Sequence, residues 1–371
     1  MGNCRFLDAW IHVVHRDQKN TPRTRIASGA KALLALGFGL FLAGIPFIGA
    51  ELYFRHLEIN YTALKPEVET WDPFPFVYGS EYGYDLCTET VVKHTKTSYG
   101  KPLYSVLFST DACGYRITPV DNREDRTHFL AFFGCSFTFG QTVNDDETLE
   151  AQVARRAPAY MPYNYALPGY GPQQMLLQLM QYDLRGTMPE KEGIGIYTFI
   201  DDHINRAIGS MRHVTSWTKR FPCFEEKNGA LAYLGSYERA HPYRLLVYRL
   251  ISHDYILRHY GVNWPVSPSI YDINLTVAII AESAKRFAEI FPGSPFYVVL
   301  YPWSSNTYGG DVIRLLRERQ ISCLDYRTLF KDTPPEKVRF IDTHPTPEGY
   351  ARVAQILVSD LNLGAQCPGS W

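Results

Sequence analysis

Residues 127–140 read Thr-His-Phe-Leu-Ala-Phe-Phe-Gly-Cys-Ser-Phe-Thr-Phe-Gly, an apolar run over Thr127–Phe133 that stops at Gly134. A run this short, closed by glycine and followed by an amphipathic pattern at about Asp146–Arg156, predicts a strand buried on both faces and then a helix. The alternation continues along the chain. Tyr163–Leu167 predicts a second strand with a helix near Gln173–Leu184, and Ile194–Ile200 a third strand. Phe296–Tyr301 follows a helix around Val277–Ile290, and Ile321–Tyr326 follows one around Asp311–Arg319, giving strands four and five. This order predicts an α/β domain whose parallel sheet is covered by helices on both faces. The gap between strands three and four, roughly 203–294, is far longer than one crossover needs. It reads as an insertion carrying Trp217 and Trp264, either a lid or substrate platform or a plain helical decoration.

Outward from this core the chain changes character. Residues 1–31 carry six basic side chains against Asp8 and Asp17, and Ala32–Ala50 (ALLALGFGLFLAGIPFIGA) contains no charge. At helical rise those nineteen residues reach about 28 Å, close to the hydrocarbon thickness of a bilayer. A cleavable signal has a shorter apolar region, and Ile48-Gly49-Ala50 is a poor cleavage site. The reading is a cytoplasmic basic tail (1–31), a single transmembrane anchor (32–50) and an exported remainder, periplasmic in a bacterium. Residues 51–125 are aromatic and β-prone, as in Phe74–Tyr78 and Leu103–Ser109, and predict a small β-rich accessory segment before a main domain at 126–371.

With 37 basic and 38 acidic residues and no recurring basic block, a nucleic-acid partner is disfavoured. The seven cysteines contain no CxxC pair, which argues against a structural zinc site; Cys87–Cys113 is the most local disulfide candidate. Asn60 and Asn274 open glycosylation sequons that matter only in a eukaryotic host.

Ligands of open parallel sheets bind beyond the carboxyl ends of the strands, so the residues just after strand one are informative. There Gly134 allows a sharp strand-to-helix turn that leaves Ser136 exposed, its own N–H near a helix N-terminus. A P-loop is excluded because five residues separate Gly134 from Gly140 and Gln141 follows; an α/β-hydrolase elbow is excluded because Thr138 stands where glycine is required. Near the C-terminus, Asp342-Thr343-His344 precedes a helix that Thr346 and Pro347 can start. A carboxylate two residues from an imidazole can hold its Nδ1–H and leave Nε2 free for the Ser136 proton.

In order and spacing, residues 126–362 resemble the SGNH (GDSL-type) hydrolase superfamily. Gly134-Cys135-Ser136 is similar to its Gly-Asp-Ser block, Asn164–Gly171 to its Asn-x-x-x-x-Gly-Tyr-Gly element, and Asp342 with His344 to its closing block. The single residue between Asp342 and His344 resembles the membrane-associated branch that includes alginate O-acetyltransferase-like proteins. The resemblance implies a three-layer α/β/α sandwich of flavodoxin-like type, Ser136 as nucleophile, the N–H groups of Ser136 and Gly169 as oxyanion donors, and no metal or organic cofactor. Two positions depart from it. Cys135 replaces the family's Asp, and Phe199-Ile200-Asp201-Asp202-His203 stands where the third block supplies an Asn donor. Either Asn205 or His203 substitutes, or the hole has two backbone donors only; Asp201 and Asp202 read equally well as caps paired with Arg206. One missing donor costs about 100- to 1,000-fold in rate.

The function expected is therefore a membrane-tethered serine ester hydrolase acting on an acyl-ester partner, O-acetyl groups of envelope glycans or lipids. Acyl transfer to a polysaccharide through the same triad and a non-catalytic scaffold are the alternatives.

Overall fold

A computed structural model describes residues 22–64, 67–227, 229–302 and 307–364. The basic residues before position 22, with Cys4 and Cys367, lie outside the described residues. The chain divides into two units, Met1–Leu57 and Glu58–Trp371. A helix over Pro22–Leu64 contains the apolar stretch, and its segment Leu33–Asn60 is long and apolar enough to cross a membrane. The expectation that β structure begins at residue 51 is corrected here. Nothing in Glu51–Leu64 breaks a helix, and the next proline after Pro46 is Pro66.

The second unit is built on a five-stranded parallel sheet: β1 (His128–Phe133), β2 (Tyr160–Asn164), β3 (Glu192–Phe199), β4 (Phe296–Leu300) and β5 (Ser322–Asp325). Its order, 2-1-3-4-5, is the flavodoxin-like doubly wound order. Strands one, three, four and five fall within two residues of the predicted runs. The second begins three residues earlier than expected, because it is an edge strand paired only with β1 and so tolerates Pro162, whose missing N–H faces away from the ladder.

Strand alternation explains why the runs are apolar throughout. Phe129, Ala131 and Phe133 of β1 enter one core layer with Met175, Leu179, Ile280 and Phe287, from helices Pro172–Gln181 and Ile270–Ile290. Leu130 and Phe132 enter the opposite layer with Val153, Val353 and Leu357, from helices Leu149–Ala154 and Pro347–Asp360. Both sheet faces are covered, as the three-layer reading requires.

Before the sheet, strands Glu67–Asp72, Val91–Ser98 and Lys101–Ser109 form an antiparallel sheet with the middle strand central. Between β3 and the crossover helix Ile270–Ile290 lie short helices and a hairpin of Pro222–Lys227 with Ala230–Ser236. The described cysteines, Cys87, Cys113, Cys135, Cys223 and Cys323, are all free thiols, so the Cys87–Cys113 bridge is not formed.

Candidate active site

Strand β1 delivers the chain to the switch point beside β3, where Ser136 begins a four-residue helix, Ser136–Phe139. The turn depends on Gly134, at φ +156°; a Cβ there would lie 2.1 Å from Thr138 Oγ1. Gly134→Ala is expected to destabilise the protein by about 2–3 kcal/mol and to misplace Ser136. Urea unfolding of the variant checks the first effect, and its residual activity the second. Cys135 is fully buried in the core layer beneath, so its thiol is not presented beside Ser136. The other end of the short helix is held by the buried Arg116. Its guanidinium donates to Phe139 O at 2.9 Å, Val143 O at 2.8 Å and Asp145 Oδ1 at 2.8 Å.

The second loop folds on itself. Phe340 N–H donates to His344 O at 2.8 Å, and Thr343 N–H to Phe340 O at 2.9 Å. Thr343 takes φ +74°, an uncommon conformation for a β-branched residue, so the loop is constrained where it presents its catalytic candidates. Thr346 Oγ1 caps the following helix by accepting Gly349 N–H at 3.1 Å, and Thr142 Oγ1 donates to Pro345 O at 2.8 Å, tying the two loops together.

As a result His344 Nε2 lies 2.8 Å from Ser136 Oγ, although 208 positions separate the two residues. Asp342 completes the line more loosely. Its Oδ1 is 3.5 Å from His344 Nδ1, beyond a well-formed hydrogen bond, and accepts the His344 backbone N–H at 3.3 Å. Its Oδ2 meets Lys96 Nζ at 2.9 Å. Burial works against the Asp342 carboxylate, but His344 and Lys96 outweigh it and hold the group well below the usual carboxylate range.

The N–H groups of the two oxyanion-hole candidates are unused. No hydrogen bond among the described residues uses the N–H of Ser136 or of Gly169. Gly169 has φ +83°, and a Cβ there would stand 2.5 Å from Tyr84 Oη and 2.6 Å from the Trp217 ring. Tyr84 donates its hydroxyl to Pro168 O beside it.

The third-block candidates make other partnerships. Asp201 accepts Tyr308 N–H at 3.2 Å. Asp202 sits 2.7 Å from Arg206 and 3.2 Å from His213; burial opposes its charge, and the contacts with Arg206 and His213 overcome it. His203 is fully buried with Nδ1 2.7 Å from Tyr197 Oη, and burial pushes it well below the usual imidazole range. Asn205 Oδ1 is buried without a partner. None of the four is hydrogen-bonded to Ser136 or His344, whereas Ser136, His344 and Asp342 are brought together. Lys96, Arg116 and Tyr84 are the contributors not anticipated from sequence, and all come from the strand-rich segment. The signal for Lys96 was present in strand parity: Val92, His94 and Lys96 share one face of Val91–Ser98, and the first two are buried.

No family model matches the chain, and no curated protein matches it. Solved structures similar to it include an α/β hydrolase, LAE5, from the metagenome of Lake Arreo (11% identity, 65% of this chain, 98% of that one, TM-score 0.39). Another is a member of the lipolytic G-D-S-L family from Veillonella parvula (13%, 63%, 98%, TM-score 0.38). A third is Axe2, an acetylxylan esterase from Geobacillus stearothermophilus (11%, 65%, 96%, TM-score 0.37). At this distance the likeness carries no argument about activity.

Proposed function

We propose that this protein is a membrane-tethered serine ester hydrolase of the SGNH type, acting on small acyl esters, O-acetyl groups above all, of envelope glycans or lipids. The observation that carries the reading is the 2.8 Å contact between His344 Nε2 and Ser136 Oγ at the carboxyl edge of a doubly wound sheet. Ser136 Oγ attacks the ester carbonyl carbon as its proton passes to His344 Nε2. The N–H groups of Ser136 and Gly169 receive the oxyanion. His344 then returns the proton to the departing alkoxide, leaving an acyl-Ser136. Water, deprotonated by His344, attacks that ester; the carboxylic acid leaves and Ser136 regains its proton.

Narrow access suits a small acyl group, since Ser136 is 6% exposed. Trp217, 40% exposed and set against Gly169, offers an aromatic face beside the oxyanion donors for a sugar ring. The basic N-terminal flank supports a cytoplasmic N-terminus with the remainder from residue 51 outside.

A fluorophosphonate is expected to label the wild-type protein and not Ser136→Ala; absence of wild-type labelling in folded protein would favour a scaffold. Acetate release from an O-acetylated polysaccharide then identifies the reaction. Replacement of that release by acylation of an added glycan overturns hydrolysis in favour of transfer.

A further inference from the structure

The buried face of the strand Val91–Ser98 runs straight into the site. Val92 packs in the core, His94 bonds through Nδ1 to Gln141 O at 2.9 Å and through Nε2 to Glu69 Oε1 at 2.8 Å, and Lys96 reaches Asp342. Gln141 follows the nucleophile helix and Asp342 lies on the histidine loop, so one strand grips both catalytic loops. A register shift opposite Lys96, where the partner strand pairs Tyr104 with Lys96 but Pro102 with Thr97, leaves Leu103 as an extra residue and bends the ribbon at this point. The Lys96 and Asp342 side chains are 12% and 9% exposed, so the contact is not a solvated surface pair.

We infer that Lys96 is a positioning residue of the triad: by holding Asp342 Oδ2 it fixes the carboxylate's rotation and presents Oδ1 to His344. The inference rests on the reading of Ser136, His344 and Asp342 as catalytic. A carboxylate carries two equivalent oxygens on a freely turning bond, and only one can face the imidazole. Oδ1 accepts the His344 backbone N–H at 3.3 Å but stands 3.5 Å from Nδ1, so the imidazole itself does not secure that alignment in the resting site. Lys96 adds the shorter constraint, at 2.9 Å, on the other oxygen. Its cation also offsets part of the carboxylate's pull on a protonated imidazole. The charged and titratable groups facing this pair are Glu67 and Glu69 from Glu67–Asp72, His94 and Lys96 from Val91–Ser98, Tyr104 from Lys101–Ser109, and Ser136. Only Lys96 changes in the test.

The test compares Lys96→Met and Lys96→Arg with wild type in the full-length protein, counting active sites by phosphonate titration so that misfolded chains drop out. In Lys96→Met, kcat per titrated site is expected to fall about 10- to 100-fold. The acid limb of kcat/KM is expected to move upward by about one pH unit, because removing a nearby cation favours the protonated base. Lys96→Arg restores both. A purely structural role would lower the titratable fraction and leave the acid limb in place. An unchanged kcat per site with an unmoved acid limb in Lys96→Met overturns the inference while Ser136→Ala remains inactive. Turnover surviving in Ser136→Ala overturns the triad reading instead.

Discussion

Replacing Ser136 by alanine is expected to abolish ester turnover, with kcat reduced by about 10,000-fold or more, while the fold is retained. The size follows from the step that is lost. Without Oγ there is no acyl-enzyme, and only the backbone donors and binding remain to assist direct attack by water. The fold is spared because, among the described residues, Ser136 Oγ bonds only to His344 Nε2, and alanine fits the same space. His344→Ala is expected to lose a similar factor, and the double variant little more, since the two groups act as one unit. Initial rates on an aryl acetate, with circular dichroism as the folding control, check all three. Independent losses that multiply would show that the hydroxyl and imidazole do not share a step.

Asp342→Asn is expected to give the second large effect, acting on rate and stability together. An amide at this position would favour the wrong imidazole tautomer, which costs about 10,000-fold in kcat in the best-characterised triads. It would also remove the nearer of the two carboxylates at Lys96, leaving Glu67 at 3.5 Å; the full loss of a buried partner costs about 3–5 kcal/mol, and the remaining carboxylate reduces that cost here. The pH dependence separates this from a generic packing defect. The folded-state carboxyl of Asp342 is held below its unfolded value, so its stabilisation is fully present above the unfolded pKa of about 3.9 and is lost as pH falls through the folded one. The stability gap between wild type and Asp342→Asn is therefore widest near neutrality and narrows as the pH is taken below about 4. Urea unfolding at pH 7 and at pH 3 measures it. A gap of constant size would show that the charge of Asp342 contributes nothing to folding.

Both effects concern residues legible in the sequence, and the reason is local. Gly134, needed because no Cβ fits against Thr138, and Thr346-Pro347, which start a helix, are short-range signals that mark where the chain must turn. Ser136, Asp342 and His344 sit at those turns. The third-block carboxylates carried a weaker signal, the nearby Arg206, and that pairing is found at Asp202. Asp202 is committed to Arg206 and His213, one of them a turn away and the other on the next helix, and the pattern Asp-Asp-His cannot say which partner each side chain will choose.

Local patterns by themselves determined the parallel sheet, its two covered faces, the apolar N-terminal helix and the turn that presents Ser136. A strand's burial and a glycine's freedom are properties of a few neighbouring residues, so they are written in the chain where they act. Tertiary structure alone decided that Lys96 and Arg116, from the strand-rich segment, enter the site. It also decided that β2 lies three residues early at the sheet edge. These outcomes depend on which distant surfaces meet: 246 positions separate Lys96 from Asp342, and a buried charge takes the nearest opposite charge that folding brings to it.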